Sequence, residues 1–245
     1  MRIQQKITFI DYGDGYVEGS WGISIPRKAG SGVRGRSKER EKNIQRTTKR
    51  AGAELRRKVM AAGLDHLLTL TYRKNIQDKQ KAWHDFEAFI RLVHSHHAKW
   101  EYVAVPEYQE RGAIHFHLGV KGYQDVALLR ALWRRVVQDG NIDVNYIKSK
   151  KGYKWKRVGI ARYLAKYIGK DMDTELNERR YRASLGITIP KEILYMPFLL
   201  KGKKTLQLSA KEYLLEHIRF LGGGVGFIWE PEEGHGQYGW ACSWG

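Results

Sequence analysis

In the segment AIHFHLGV, His115 and His117 are separated by one residue. The alternating apolar run reads as a β-strand, so both imidazoles leave one face while Phe116 leaves the other. The run before it, EYVAVPEYQERG, reads as a second strand. A hairpin turning at Arg111 and Gly112 sets Glu107 opposite His115 and Val105 opposite His117, and opposed side chains lie about 5 Å apart. Two imidazoles and one carboxylate leave open positions for water and a phosphate oxygen, which suits Mn²⁺ or Mg²⁺ as a Lewis acid. A closed structural zinc site would want a fourth ligand that the neighbouring sequence does not offer. A register shifted by one moves Glu107 to the far face and leaves Glu110 or Gln109 as substitutes. A bare His-X-His also arises incidentally, so the pair is weighed with what surrounds it.

A second set of reactive groups lies in RVGIARYLAKYIGKD, a helical pattern. Ala161, Leu164, Ala165 and Ile168 form an apolar stripe, which places Tyr163, Lys166, Tyr167 and Lys170 on the opposite side. Tyrosines usually pack a core, but here the stripe assigns the core face elsewhere. Lys166 follows Tyr163, and Lys170 follows Tyr167, at a spacing that puts ammonium beside phenol on a helix. Such a lysine can hold a phosphate or favour the phenolate, and an unperturbed tyrosine, with a pKa of about 10, is a weak nucleophile at neutral pH.

The elements that must position these groups run from Asp65 as strand, helix, strand, strand, helix, strand, helix. That order predicts an α+β fold, a largely antiparallel sheet with helices packed on one face. Upstream, KITFIDYGDGY reads as a strand and turn, and residues 26–58 form a basic arm and helix. Arg34, Arg36, Lys38, Arg46, Lys49 and Arg50 on that arm, with Lys154, Lys156 and Arg157 ahead of the tyrosines, are candidate phosphate contacts; a solvated surface helix is the plainer reading of the arm. Downstream, LSAKEYLLEHIRFL reads as a helix capped by Ser209 with Glu212 three residues on. The Gly- and Trp-rich end after it has no clear pattern. His94, His96 and His97 read as a polar helix face.

Charge narrows the partners. Lys and Arg total 44 against 26 Asp and Glu, a formal +18, so the chain should seek polyanions. No apolar run approaches the roughly 20 residues that span a bilayer, and no signal-peptide pattern opens the chain. The single cysteine, Cys242, precludes an internal disulfide framework and fits a reducing cytoplasm. No P-loop pattern is present, so any unwinding is expected from a separate helicase.

Taken in order, LLTLTY, IHFHL and YLAKYIGK resemble the three motifs of the HUH endonucleases, and within them the rolling-circle replication initiators of phages and plasmids. The resemblance spans roughly Leu67 to Asp171. It implies a ferredoxin-like or RRM-like nuclease core over residues 1–180, including the basic arm, and an extension over 181–245 packed on the same domain. It assigns metal binding to His115, His117 and Glu107, and the nucleophile to Tyr163 and Tyr167 with Lys166 beside them. The implied reaction nicks one strand at an origin, forms a 5′-phosphotyrosine with a free 3′-OH, and later reseals the strand without ATP. Implied partners are single-stranded and origin DNA, a separate helicase and a host polymerase, in a bacterial cytoplasm. Conjugative relaxases place the tyrosine before the histidines, the reverse of the order here. A transposase of the same superfamily shares the order but fits less well with two tyrosines and this length, and a non-catalytic origin- or single-strand-binding protein is the remaining alternative.

Overall fold

The computed structural model of the chain describes residues 4–24, 39–145, 153–168, 179–197, 209–232 and 238–243. The described elements in chain order are β1 (Gln4–Asp11), β2 (Val17–Ser24), α1 (Arg40–Ala62), β3 (His66–Tyr72) and α2 (Lys79–His96). There follow β4 (Tyr102–Tyr108), β5 (Ile114–Val120), α3 (Val126–Val137), β6 (Gly140–Asn145) and α4 (Tyr153–Tyr167). The series closes with β7 (Arg182–Ala183), β8 (Lys191–Pro197), α5 (Ala210–Gly222), β9 (Val225–Trp229) and β10 (Gly239–Ser243). The chain forms two compact units, Arg34–Thr188 and Met1–Val33 with Ile189–Gly245.

In the first unit an antiparallel sheet has the order β6-β3-β5-β4-β7. Within it the path β3-α2-β4-β5-α3-β6 is the split βαβ arrangement of ferredoxin-like folds. Every residue of β5 is buried, so both faces of the sheet's centre need cover. On one face Leu68, Leu70, Phe116 and Leu118 pack under Phe86, Phe89 and Trp133 of α2 and α3. Each such ring or aliphatic chain removed from water contributes on the order of 1.5–3 kcal/mol. Asp78 and Asp125 accept backbone N–H groups at the starts of α2 and α3, satisfying donors a helix leaves unpaired.

The other face carries α4 and α1, with Val103 and Val105 of β4, Ile160 and Leu164 of α4, and Leu55 and Val59 of α1 all fully buried. The expectation of helices on a single face is therefore corrected. The reason lies in β5, whose alternate residues are apolar on one side and His115, His117 and Gly119 on the other, so the second side also excludes water. Gly119 sets how closely α4 approaches: a Cβ there would lie 3.2 Å from both Ile160 and Leu164.

In the second unit the antiparallel order is β8-β1-β2-β10-β9. Ile7, Val17, Trp21 and Ala241 meet Leu214 and Ile218 of α5 on one face. Ser209 and Glu212 form the capping box that the sequence suggests for α5. The N-terminal hairpin thus pairs with β8 and β10 rather than joining the nuclease-like core, and the expected division at residue 180 does not describe the pairing. Strands β1 and β2 have open edges and one apolar face; the C-terminal strands close the first, and α5 covers the second. No helix among the described residues is long and apolar enough to cross a membrane.

Candidate functional site

Strand register builds the site. Glu107 pairs with His115 and Val105 with His117, as the hairpin reading requires. The turn is closed by Gln109 N–H donating to the Ala113 carbonyl at 2.8 Å, with Gly112 at φ 83°, where a side chain would be strained. Strand β3 on the other flank sets Thr69 opposite His117 and Thr71 opposite His115. Both histidines and Glu107 line an open cleft of about 560 Å³ together with Gln109, Glu110 and Arg111.

His117 is held at both nitrogens. Its Nε2 lies 2.8 Å from Glu107 Oε2 and its Nδ1 lies 3.2 Å from Thr69 Oγ1. In the neutral ring these contacts are satisfied when the Thr69 hydroxyl donates to Nδ1 and Nε2–H donates to the carboxylate. His115, 8 % exposed, has a buried Nε2 without a hydrogen-bond partner among the described residues. Burial, followed by the nearby His117 and Arg111, pushes its pKa down to about 4, against a smaller upward pull from Glu107. It is therefore a neutral imidazole at pH 7 with a lone pair facing a polar cleft, which is the ligand form of histidine.

This donor set fits a hard or borderline divalent cation: two imidazoles and one carboxylate on one sheet face, one of them lacking any other partner. In the present arrangement Glu107 and His117 are closed on each other. No group of three His, Cys, Asp or Glu side chains forms a ready cage among the described residues.

Helix α4 brings the phenols to the same place. The Tyr167 ring stacks on His117 with centroids 4.7 Å apart and planes at 18°, while Tyr163 meets His117 edge-on at 5.6 Å. The two tyrosine rings are 5.0 Å apart. Tyr163 is partly exposed, but Tyr167 is buried, which corrects the placement of both on a face opposite the core. Tyr167 follows Ile160 by seven residues, nearly two helical turns, so it falls in line with the sheet-facing stripe. Burial, and then a hydrogen bond with Tyr163 and the Glu107 charge, push the Tyr167 phenol well above its ordinary value.

The remaining candidates divide. Lys166 is exposed on α4, as are Arg46, Lys49 and Arg50 on α1, and Lys156 is partly exposed. Arg157 departs from a surface role: it is buried and its Nη1 donates to the Met60 carbonyl at 3.4 Å, tying α4 to the end of α1. Arg34, Arg36, Lys38, Lys170 and the Lys154 side chain lie outside the described residues. His94 and His96 bond the carbonyls of Trp100 and Leu92. Sequence reading passed over Thr69 and Arg111. A hydroxyl within the apolar run HLLTLTY was the available signal for Thr69. Arg111 donates to the Tyr72, Arg73 and Gln109 oxygens and fastens the hairpin to the end of β3, for which a turn position gives no signal.

The fold and site define a class: a split-βαβ sheet whose central strand carries two histidines beneath a tyrosine-bearing helix. Over residues 65–172 the chain is similar to a known family, matching the family model for the ORF2 type of replication-associated protein. That span holds β3 through α4, and the match supports a place among replication initiators and a role in DNA replication. No curated protein and no solved structure matches the chain.

Proposed function

We propose that the chain nicks and rejoins single-stranded DNA at a replication origin by transesterification onto a tyrosine. The observation that carries this reading is the packing of both tyrosine rings against His117, itself bonded to Glu107. Tyr163, the more exposed phenol, makes the first attack: its oxygen bonds to phosphorus as the bond from phosphorus to the 3′ oxygen breaks. The phenol gives up one proton and the departing 3′ oxygen takes one up, leaving a 5′-phosphotyrosine and a 3′-OH. Tyr167 serves a later transfer, and attack by a 3′-OH on the phosphotyrosine reseals the strand with no nucleotide cofactor.

His115, His117 and Glu107 would hold Mn²⁺ or Mg²⁺, which supplies Lewis-acid polarisation of a phosphate oxygen. Thr69 fixes the ring of His117, and Lys166 offers a charge for the phosphate. Exposed Arg46, Lys49 and Arg50 add sequence-independent affinity for the DNA backbone. The free 3′-OH would prime a polymerase, with unwinding by a separate helicase.

The test is incubation with a single-stranded origin oligonucleotide and Mn²⁺, followed by denaturing electrophoresis. A covalent protein-DNA band is expected from the natural chain and none from the Tyr163→Phe/Tyr167→Phe variant. An adduct that survives in the double variant would overturn the assignment.

A further inference from the structure

The second unit lies outside the span of family similarity, and one face of its sheet has no helix over it among the described residues. Ile7, Trp21 and Ala241 point to α5, so residues of the other parity form the opposite face. Register places Trp229, Trp240, Ser20, Thr8 and Ile193 in one row across that face. Lys6 and Tyr195 form the next pair, with the Lys6 ammonium 6.0 Å from the ring centroid.

The face has a consistent layout. At the β9–β10 edge, Phe227 and Trp240 rings lie 5.9 Å apart, and Trp229 and Tyr238 lie 6.5 Å apart. At the β8 edge stands Tyr195. Tyr195, Phe227, Trp229 and Tyr238 each leave about half of their surface in solvent. Between these edges β2 presents Ser20, Gly22 and Ser24, a low polar floor. Five strands at about 4.8 Å spacing separate the outer aromatics by roughly 19 Å. Lys6 and Lys191 bring positive charge to this face, and the one carboxylate at its described strand positions, Glu18, is fully buried.

We propose that this face is a stacking platform for single-stranded DNA, distinct from the cleft of the first unit. Exposed rings at sheet edges over a low floor accept bases by their π-faces, and cations among them meet phosphates without selecting sequence. A protein partner's apolar patch would not call for the two lysines. That the strand is DNA rests on the proposed function; that a single strand binds here does not.

The experiment measures binding of a fluorescein-labelled oligothymidine to the full chain by anisotropy in EDTA, so that nicking chemistry plays no part. Tyr195→Ala, Phe227→Ala and Trp229→Ala should each weaken binding about tenfold, while Phe220→Ala, an exposed ring on α5, leaves it within about twofold. Lys6→Gln should lower the slope of log affinity against log salt by about 0.7. Photocrosslinking of a bromodeoxyuridine strand to the natural chain, which needs no variant to fold, should map to rings on β8, β9 or β10. Crosslinks confined to Arg34–Thr188, or a triple aromatic variant with natural affinity, would overturn the platform. Loss of self-association in that variant without loss of DNA affinity would instead give the face to a second copy and overturn it equally. Because no cleavage is read, failure here leaves the nicking reading untouched, and the reverse holds.

Discussion

The imidazole of His117 and the phenol ring of Tyr167 lie stacked, 4.7 Å between centroids and 18° from parallel. One residue belongs to the central strand of a sheet and the other to the last turn of a helix crossing it. Their contact places a candidate metal ligand beside a candidate nucleophile, and it makes each tyrosine separately testable.

Tyr163→Phe is expected to reduce first-turnover adduct formation by at least about a hundredfold, because the phenol oxygen is the attacking group. Tyr167→Phe should leave first cleavage largely intact and impair a second transfer. Mass-spectrometric mapping of the modified residue after a single turnover checks the order, and a first adduct on Tyr167 would reverse it.

His115→Ala and His117→Ala should abolish cleavage while most DNA affinity remains, since Lys and Arg contacts to phosphate carry the binding. Gel-shift and nicking assays run side by side separate the two effects. Undiminished nicking in EDTA would count against a cation at this pair.

Thr69→Val removes the hydroxyl that holds His117 Nδ1 while keeping side-chain volume. Loss of such an outer partner typically costs about 10–100-fold in metal affinity. Calorimetric titration with Mn²⁺ should show that weakening with little change in melting temperature; equal affinity in the variant would remove Thr69 from the site.

Gly119→Ala puts a Cβ 3.2 Å from Ile160 and Leu164, so α4 must shift off the sheet. A destabilisation of about 1–3 kcal/mol is expected, with a loss of nicking larger than stability alone explains, because the tyrosines ride on that helix. Denaturant titration and nicking at a temperature where the variant is folded test both parts.

His115 also predicts a pH dependence for the metal-free protein. Its pKa is about 4 in the folded chain against an ordinary 6.5, so between those values the unfolded chain binds a proton that the folded chain does not. The stability this neutral histidine allows is present above about pH 6.5 and is lost as the pH falls towards 4. Melting temperatures of the natural chain and of His115→Gln over that window should converge at the acid end.

Much of the site was legible in the chain because its geometry is local. Alternation in a strand puts His115 and His117 on one face, and a short hairpin fixes Glu107 opposite. The split βαβ order followed from hydrophobic periods and turn residues between Asp65 and Asn145. These are relations between residues within about one hairpin or two helical turns, where backbone geometry leaves few choices.

What tertiary structure alone decided involves segments far apart in the chain. That α1 and α4 cover the histidine face turned Tyr167 inward and committed Arg157 to the Met60 carbonyl instead of to solvent. That β1 and β2 pair with β8 and β10 joined the two ends of the chain into a second sheet. Periodicity marks which side of an element is apolar, but many apolar surfaces can satisfy it. Which one does is settled by shape, such as the space Gly119 leaves for Ile160 and Leu164, and by open strand edges that any complementary strand can close.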